Sequence, residues 1–239
     1  AQYRVYKKFK NEPLLCEGAA KSHFGWHMLS GGNAFDVFPA EVFKQKIIEY
    51  PYSAAPKMAT NFTRINFGWW HFKPELQPDM YEFGISKAAV YDCAATIMIY
   101  PHWLDAHPRA KDIFEVFYRW EDAKRTKWLT KEHKELLKNP DCEYILLVNE
   151  YGEYELQPYF EIKNAAQGNK EISAFYFERK GKTYVVCWHK SGSGQLKINQ
   201  SIDDFIYEEQ LGGNAVAVES KDNHIILPIA GRRYFSTSA

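Results

Sequence analysis

The sequence predicts an α/β portion followed by an all-β portion. The first reads as an incomplete C-terminal portion of a TIM (β/α)8 barrel, the second as an antiparallel β-sandwich. Three observations predict this. Up to about residue 140, short apolar runs alternate with helix-periodic segments, the pattern of βα units around a parallel sheet. The run ATIMIY at 95–100 is almost wholly apolar, as a strand covered on both faces requires. After Pro140 come short β-runs split by turn residues, the pattern of a sandwich. The expected division is 1–140 for the βα units and 141–239 for the sandwich.

In chain order, YRVYKKFKN reads as the end of a helix, and PLLCEGA as a strand that closes on Glu17. PAEVFKQKIIEY has Pro39 near a helix start, with Val42, Phe43, Ile47 and Ile48 on one side. FTRINFGWW is β-rich, and Gly68 within it signals a bend or a close backbone approach. DMYEFGISKAAVYDC reads as a helix, ATIMIY as a strand, and HPRAKDIFEVFYRWEDAKRT as a long amphipathic helix with Ile113, Val116, Phe117 and Trp120 on its apolar side. KEHKELLKN is a last short helix. In the second half, ERKGK and KSGSG read as hairpin connections.

Only three parallel strands emerge, at 14–17, 62–70 and 95–100, and a barrel needs eight. They are expected to be the sixth, seventh and eighth strands of a barrel whose other strands would precede residue 1. Barrel enzymes place their chemistry at the C-terminal ends of the strands. Glu17 with its following loop, and the residues after 70 and 100, are therefore the candidate site.

Composition narrows the partners. Thirty Lys and Arg against 30 Asp and Glu leave zero net charge, which argues against nucleic acid and anionic membranes. No apolar run approaches the roughly 18 residues of a membrane span. The four cysteines have no metal-ligand spacing and read as free thiols; neither a metal nor a cofactor is expected. Aromatic residues make up 16% of the chain, including seven Trp. They serve either a large aromatic core or a surface that stacks on sugar rings.

The pieces EGAAKSHFGWH, GGNAFD, TRINFGWW, QPDMYEFGISKAAVYDC, YVVCWHKSGSG and LPIAGRRYFST resemble glycoside hydrolases in which a catalytic (β/α)8 barrel precedes an antiparallel sandwich, the plan of the α-galactosidase and α-fucosidase types. The resemblance implies hydrolysis of O-glycosidic bonds, a carbohydrate substrate, and an extracellular or periplasmic place for the parent protein. Such enzymes use two carboxylates. The resemblance makes Glu17 the acid/base candidate; its partner, from near the fourth strand, would lie outside this chain. A strand-end salt bridge or cap also accounts for Glu17. His23, Trp26 and His27 are expected to bind substrate from the loop after Glu17, with loop packing as the alternative. Trp70 and His71, then Asp79 and Glu82, are expected around the next strand end. Either of two adjacent tryptophans can face the core, and acidic residues in a first helical turn also suit the helix dipole. Trp103 follows the last parallel strand. The alternative function is non-catalytic carbohydrate binding or protein interaction through the aromatic surface.

Overall fold

The computed structural model describes residues 4, 8, 17–18, 31–33, 38–60, 64–163, 165, 169–199, 205–208, 211, 215–221 and 224–237. Among the described residues the α/β portion holds four strands: β1 (Glu17–Gly18), β2 (Gly31–Asn33), β3 (Arg64–His71) and β4 (Ala95–Met98). Each pairs with the next in parallel, in the order β1-β2-β3-β4. The three expected strands thus become four. The sequence GGN at 31–33 offers no apolar pattern to mark a strand, so β2 is set by its neighbours' ladders alone.

Between β2 and β3 the chain is helical in pieces. α1 (Phe43–Ile47) passes through a π turn at Ile48–Tyr52 into α2 (Ser53–Ala59). Pro51 lies inside the π turn; proline has no N–H for an i−4 bond, and a widened turn accommodates it. α3 (Pro78–Ala89) starts with Pro78 at its first position, α4 (Pro101–Ala106) with Pro101, and α5 (Ala110–Arg125) carries the predicted apolar side. α6 (Lys131–Leu137) is capped by Thr130, which accepts from the His133 N–H.

These helices cover one face of the parallel sheet. Ile65, Phe67, Trp70 and Phe72 of that face join Phe43, Tyr81, Ile113, Val116 and Trp120 in one core. The other face carries Asn66, His71, Thr96 and Met98, all only half-buried. None of the described helices is long and apolar enough to cross a membrane.

The all-β portion has nine strands among the described residues. β5 (Glu143–Val148), β6 (Tyr154–Glu161), β7 (Ile172–Arg179), β8 (Lys182–His189), β10 (Phe205–Glu208) and β13 (Arg233–Thr237) form a six-stranded antiparallel sheet in the order β10-β13-β8-β7-β6-β5. β9 (Gly194–Ile198), β11 (Glu219–Lys221) and β12 (His224–Ile229) form a three-stranded antiparallel sheet. The two sheets share a core to which Ala174, Val185, Cys187 and Phe235 contribute from one side and Leu196, Ile225, Leu227 and Ile229 from the other. The ERKGK hairpin closes through Lys180 and Gly181, both at positive φ, the two-residue turn whose twist suits paired strands.

The opposite face of the larger sheet holds Ile145, Leu147, Phe175, Phe177, Val186 and Trp188. Leu146 and Tyr144 of β5 instead join the helical core of the first half. Trp188 Nε1 donates to Gln77 Oε1 at 3.0 Å, just ahead of α3. Cys93, Cys142 and Cys187 are free thiols.

Candidate functional site

An aromatic cluster marks the C-terminal end of the parallel sheet. β3 ends on His71, level with Met98 at the end of β4, and the chain then turns through Tyr100 into α4. The Trp103 ring lies 5.1 Å from His71, 4.6 Å edge-on from Tyr100 and 5.7 Å from His102. Lys73 Nζ stands 5.5 Å over the Trp103 ring, a cation–π contact. Tyr100 is 47% exposed and His102 is exposed, so the cluster faces solvent. Burial, with the Lys73 charge added, lowers the pKa of His71, which keeps its imidazole neutral at pH 7. A neutral imidazole both donates and accepts, as recognition of a hydroxyl requires.

A bulge exposes one more ring. Between Phe67 and Trp70 the β3–β4 register slips, so β3 carries one residue more than β4. Gly68 is obligatory there, because a Cβ would lie 1.9 Å from Thr96 Oγ1. Trp69 takes φ 65° and is 38% exposed. Its N–H donates to Thr96 Oγ1 at 3.3 Å, and Asn66 Nδ2 donates to the same oxygen. A tryptophan in the left-handed region costs about 1–3 kcal/mol, and such strain concentrates at functional sites.

The expected site residues divide into three groups. His71 and Trp103 meet in the solvent-facing cluster. Trp70, Asp79 and Glu82 are corrections, because all three are interior. Trp70 is fully buried against Phe43, Tyr81 and Phe117, and the bulge gives the open side to Trp69 instead. Asp79 is bound by Lys44 at 2.7 Å, and Lys44 also holds Glu143. Glu82 is wholly buried: its carboxylate accepts from Trp120 Nε1 at 3.1 Å, the Leu146 N–H at 3.0 Å and Arg232 at 2.9 Å. Glu82 lies beyond the first turn of α3, where the helix dipole does not account for it, and its partners are 38 to 150 residues distant, so local spacing does not reveal them.

The third group concerns Glu17. His23, Trp26 and His27 lie outside the described residues, and of Glu17 only the backbone is described. That backbone pairs with Gly31, which pairs with Arg64, the first residue of β3. With the extra residue of the bulge set aside, the Glu17 backbone lies six ladder steps before His71, about 20 Å at 3.3 Å per residue. The role expected of Glu17 rests on a side chain that lies outside the described residues. Sequence reasoning also passed over Tyr100 and chose the wrong member of the Trp69–Trp70 pair; the glycine at 68 was the available signal for a bulge.

No family model and no curated protein matches the chain. Solved structures similar to it include glycoside hydrolases. A family 39 glycoside hydrolase from the gut symbiont Bacteroides cellulosilyticus aligns over 90% of this chain and 46% of its own, with 9% identity and a TM-score of 0.33. An Anoxybacillus α-amylase aligns over 90% and 49%, with 11% identity and a TM-score of 0.29. The α-amylase from H. orenii aligns over 95% and 54%, with 10% identity and a TM-score of 0.28. The chain spans about half the length of these structures, and at such scores the likeness carries no argument about activity.

Proposed function

We propose that the chain is a segment of a glycoside hydrolase, contributing the C-terminal βα units of a (β/α)8 barrel and a β-sandwich after residue 140, and acting on O-glycosidic bonds of oligo- or polysaccharides. The observation that carries the reading is the open aromatic cluster of His71, Tyr100, His102 and Trp103 at the C-terminal end of an all-parallel sheet. Indole and phenol faces give sugar C–H groups an apolar platform, and imidazoles give the hydroxyls partners. Two further features support it. Among the described residues, helices cover one face of the parallel sheet, as on a barrel wall. The two antiparallel sheets share an apolar core, as a sandwich does.

A second reading has its own support. The cluster stands as an aromatic platform by itself, and a platform alone suffices for carbohydrate binding without turnover. Affinity electrophoresis of the 239-residue chain in gels cast with soluble polysaccharides tests the shared premise. Retardation is expected, and Trp103→Ala is expected to abolish it; equal mobility of both proteins in every gel would defeat both readings. Hydrolysis separates them. The chain by itself is expected to release no reducing sugar. In a longer parent containing four further βα units, Glu17→Gln is expected to cut turnover by about 10²–10⁴-fold if Glu17 is the acid/base. A near-normal rate removes Glu17 from that role.

A further inference from the structure

A cleft of about 560 Å³ opens between the N-terminal half of α5 and the larger antiparallel sheet. Its size lies within the roughly 300–1,000 Å³ of small-molecule sites. None of the residues lining it belongs to the aromatic cluster. Three arginines border it: Arg109, Arg119 and Arg232, each about 5% exposed.

Two of the three have buried counter-charges. Arg232 donates to Glu82 at 2.9 Å, and Asp112 accepts from the Arg232 backbone N–H at 3.2 Å. Arg109 lies 3.6 Å from Asp112 and donates to the Gly192 carbonyl at 3.1 Å. Arg119 differs. Its guanidinium makes no hydrogen bond among the described residues, and its buried Nε has no acceptor. The one carboxylate beside it, Glu115 at 3.6 Å, is 52% exposed at its side chain and solvated. Two of the buried guanidinium groups thus have buried carboxylates, Asp112 and Glu82, whereas Arg119 has only the half-exposed Glu115. A guanidinium carries five N–H donors, and leaving them without acceptors out of water is costly. Leu147, Leu211, Tyr118 and Tyr234 complete the wall with apolar and aromatic surface.

We propose that this cleft binds a small organic carboxylate, whose two oxygens pair with the guanidinium fork of Arg119 while its body rests on the apolar wall. The planar fork matches a carboxylate bidentately, and a buried ligand carboxylate would replace the solvent-exposed Glu115 as its partner. The site is independent of the glycosidase reading.

Thermal unfolding and calorimetric titration of the 239-residue chain test it, with glucuronate as the probe, glucose as its uncharged counterpart and inorganic phosphate as the competing anion. Glucuronate is expected to bind and to raise Tm with concentration, as a ligand of the folded state must, whereas glucose does neither. Arg119→Met is expected to weaken glucuronate binding at least about tenfold. The same variant is expected to melt no lower than the original chain in anion-free buffer, because it removes an uncompensated buried charge. Arg119→Lys, which keeps the charge but not the fork, is expected to fall between them. Undiminished binding by Arg119→Met overturns the assignment, as does phosphate binding as tightly as glucuronate. A large loss of stability in anion-free buffer also overturns it, since that would mark Arg119 as a structural ion-pair partner.

Discussion

Individual side chains reveal how tightly this chain is specified. Gly84 sits inside α3 where alanine would be the better helix former by about 1 kcal/mol. A Cβ there would lie 2.7 Å from the Trp70 indole, which is wholly buried between Phe43, Tyr81 and Phe117 and has no room to retreat. Overpacking costs about 1–3 kcal/mol, so it outweighs propensity. Gly84→Ala is expected to lower Tm, by about 2–4 °C per net kcal/mol in a chain of this size; a rise in Tm would mean that propensity wins. His107 supplies a pH dependence. Its Nδ1 accepts from the Arg109 N–H at 3.1 Å, and its Nε2 lies 3.0 Å from the Leu76 carbonyl, where the neutral tautomer donates. Burial lowers its pKa in the folded chain. Above the ordinary histidine value of about 6.5 both states are neutral and the fold keeps its full stability. Below it the unfolded chain takes up a proton that the folded chain resists, so stability falls as pH drops. Urea midpoints between pH 7 and 5 should decline less steeply in His107→Gln than in the original chain; parallel slopes would exclude His107 as the cause.

Elements were legible to the extent that their signals were local. α5 was readable because Ile113, Val116 and Trp120 recur at helical spacing and all three are buried. The β7–β8 hairpin was readable because Lys180–Gly181 is turn chemistry. β2 was not, because Gly31–Asn33 has no apolar residue and exists through pairing with β1 and β3. The π turn at Ile48–Tyr52 was not, because a proline in a helical pattern signals an end, whereas here the helix widens and continues. The site was only partly legible. Its strand end was predictable, but which tryptophan faces out depends on one inserted residue that reverses the alternation after Phe67. That dependence yields a prediction for the whole β3–β4 element. Gly68→Val would collide with both the side chain and the backbone nitrogen of Thr96. The pairing should shift, lowering stability and changing the exposure of Trp69, seen as a shift in tryptophan emission and altered quenching by iodide. Unchanged emission and stability would show that the bulge does not govern Trp69.

Across the molecule, the two halves are joined through buried polar contacts as well as apolar packing. Glu82 of α3 receives hydrogen bonds from Trp120 of α5, from the backbone of β5 and from Arg232 just before β13, so one carboxylate holds four parts of the chain. Lys44 likewise links Asp79 of the first half to Glu143 of β5, and Lys87 donates to the carbonyls of Leu137, Asn139 and Cys142 at the junction. Removing one member of a buried pair costs about 3–5 kcal/mol, because the other charge stays behind uncompensated. Glu82→Ala should therefore weaken both halves together. Near-UV circular dichroism, which reports the aromatic core of the first half, and exchange of the β7–β8 amides should lose protection at the same urea concentration. Separate transitions would show that Glu82 serves one half only. The same architecture leaves one face of the parallel sheet, with Asn66, His71, Thr96 and Met98, half-buried rather than covered. All-parallel sheets are covered on both faces in stable proteins. The native 239-residue chain is expected to bind ANS before it unfolds, and a parent that completes the barrel is expected not to. A cooperative melt of the 239 residues with no ANS fluorescence would count against the barrel reading, because it would show the exposed face to be polar enough to stand in water without further strands.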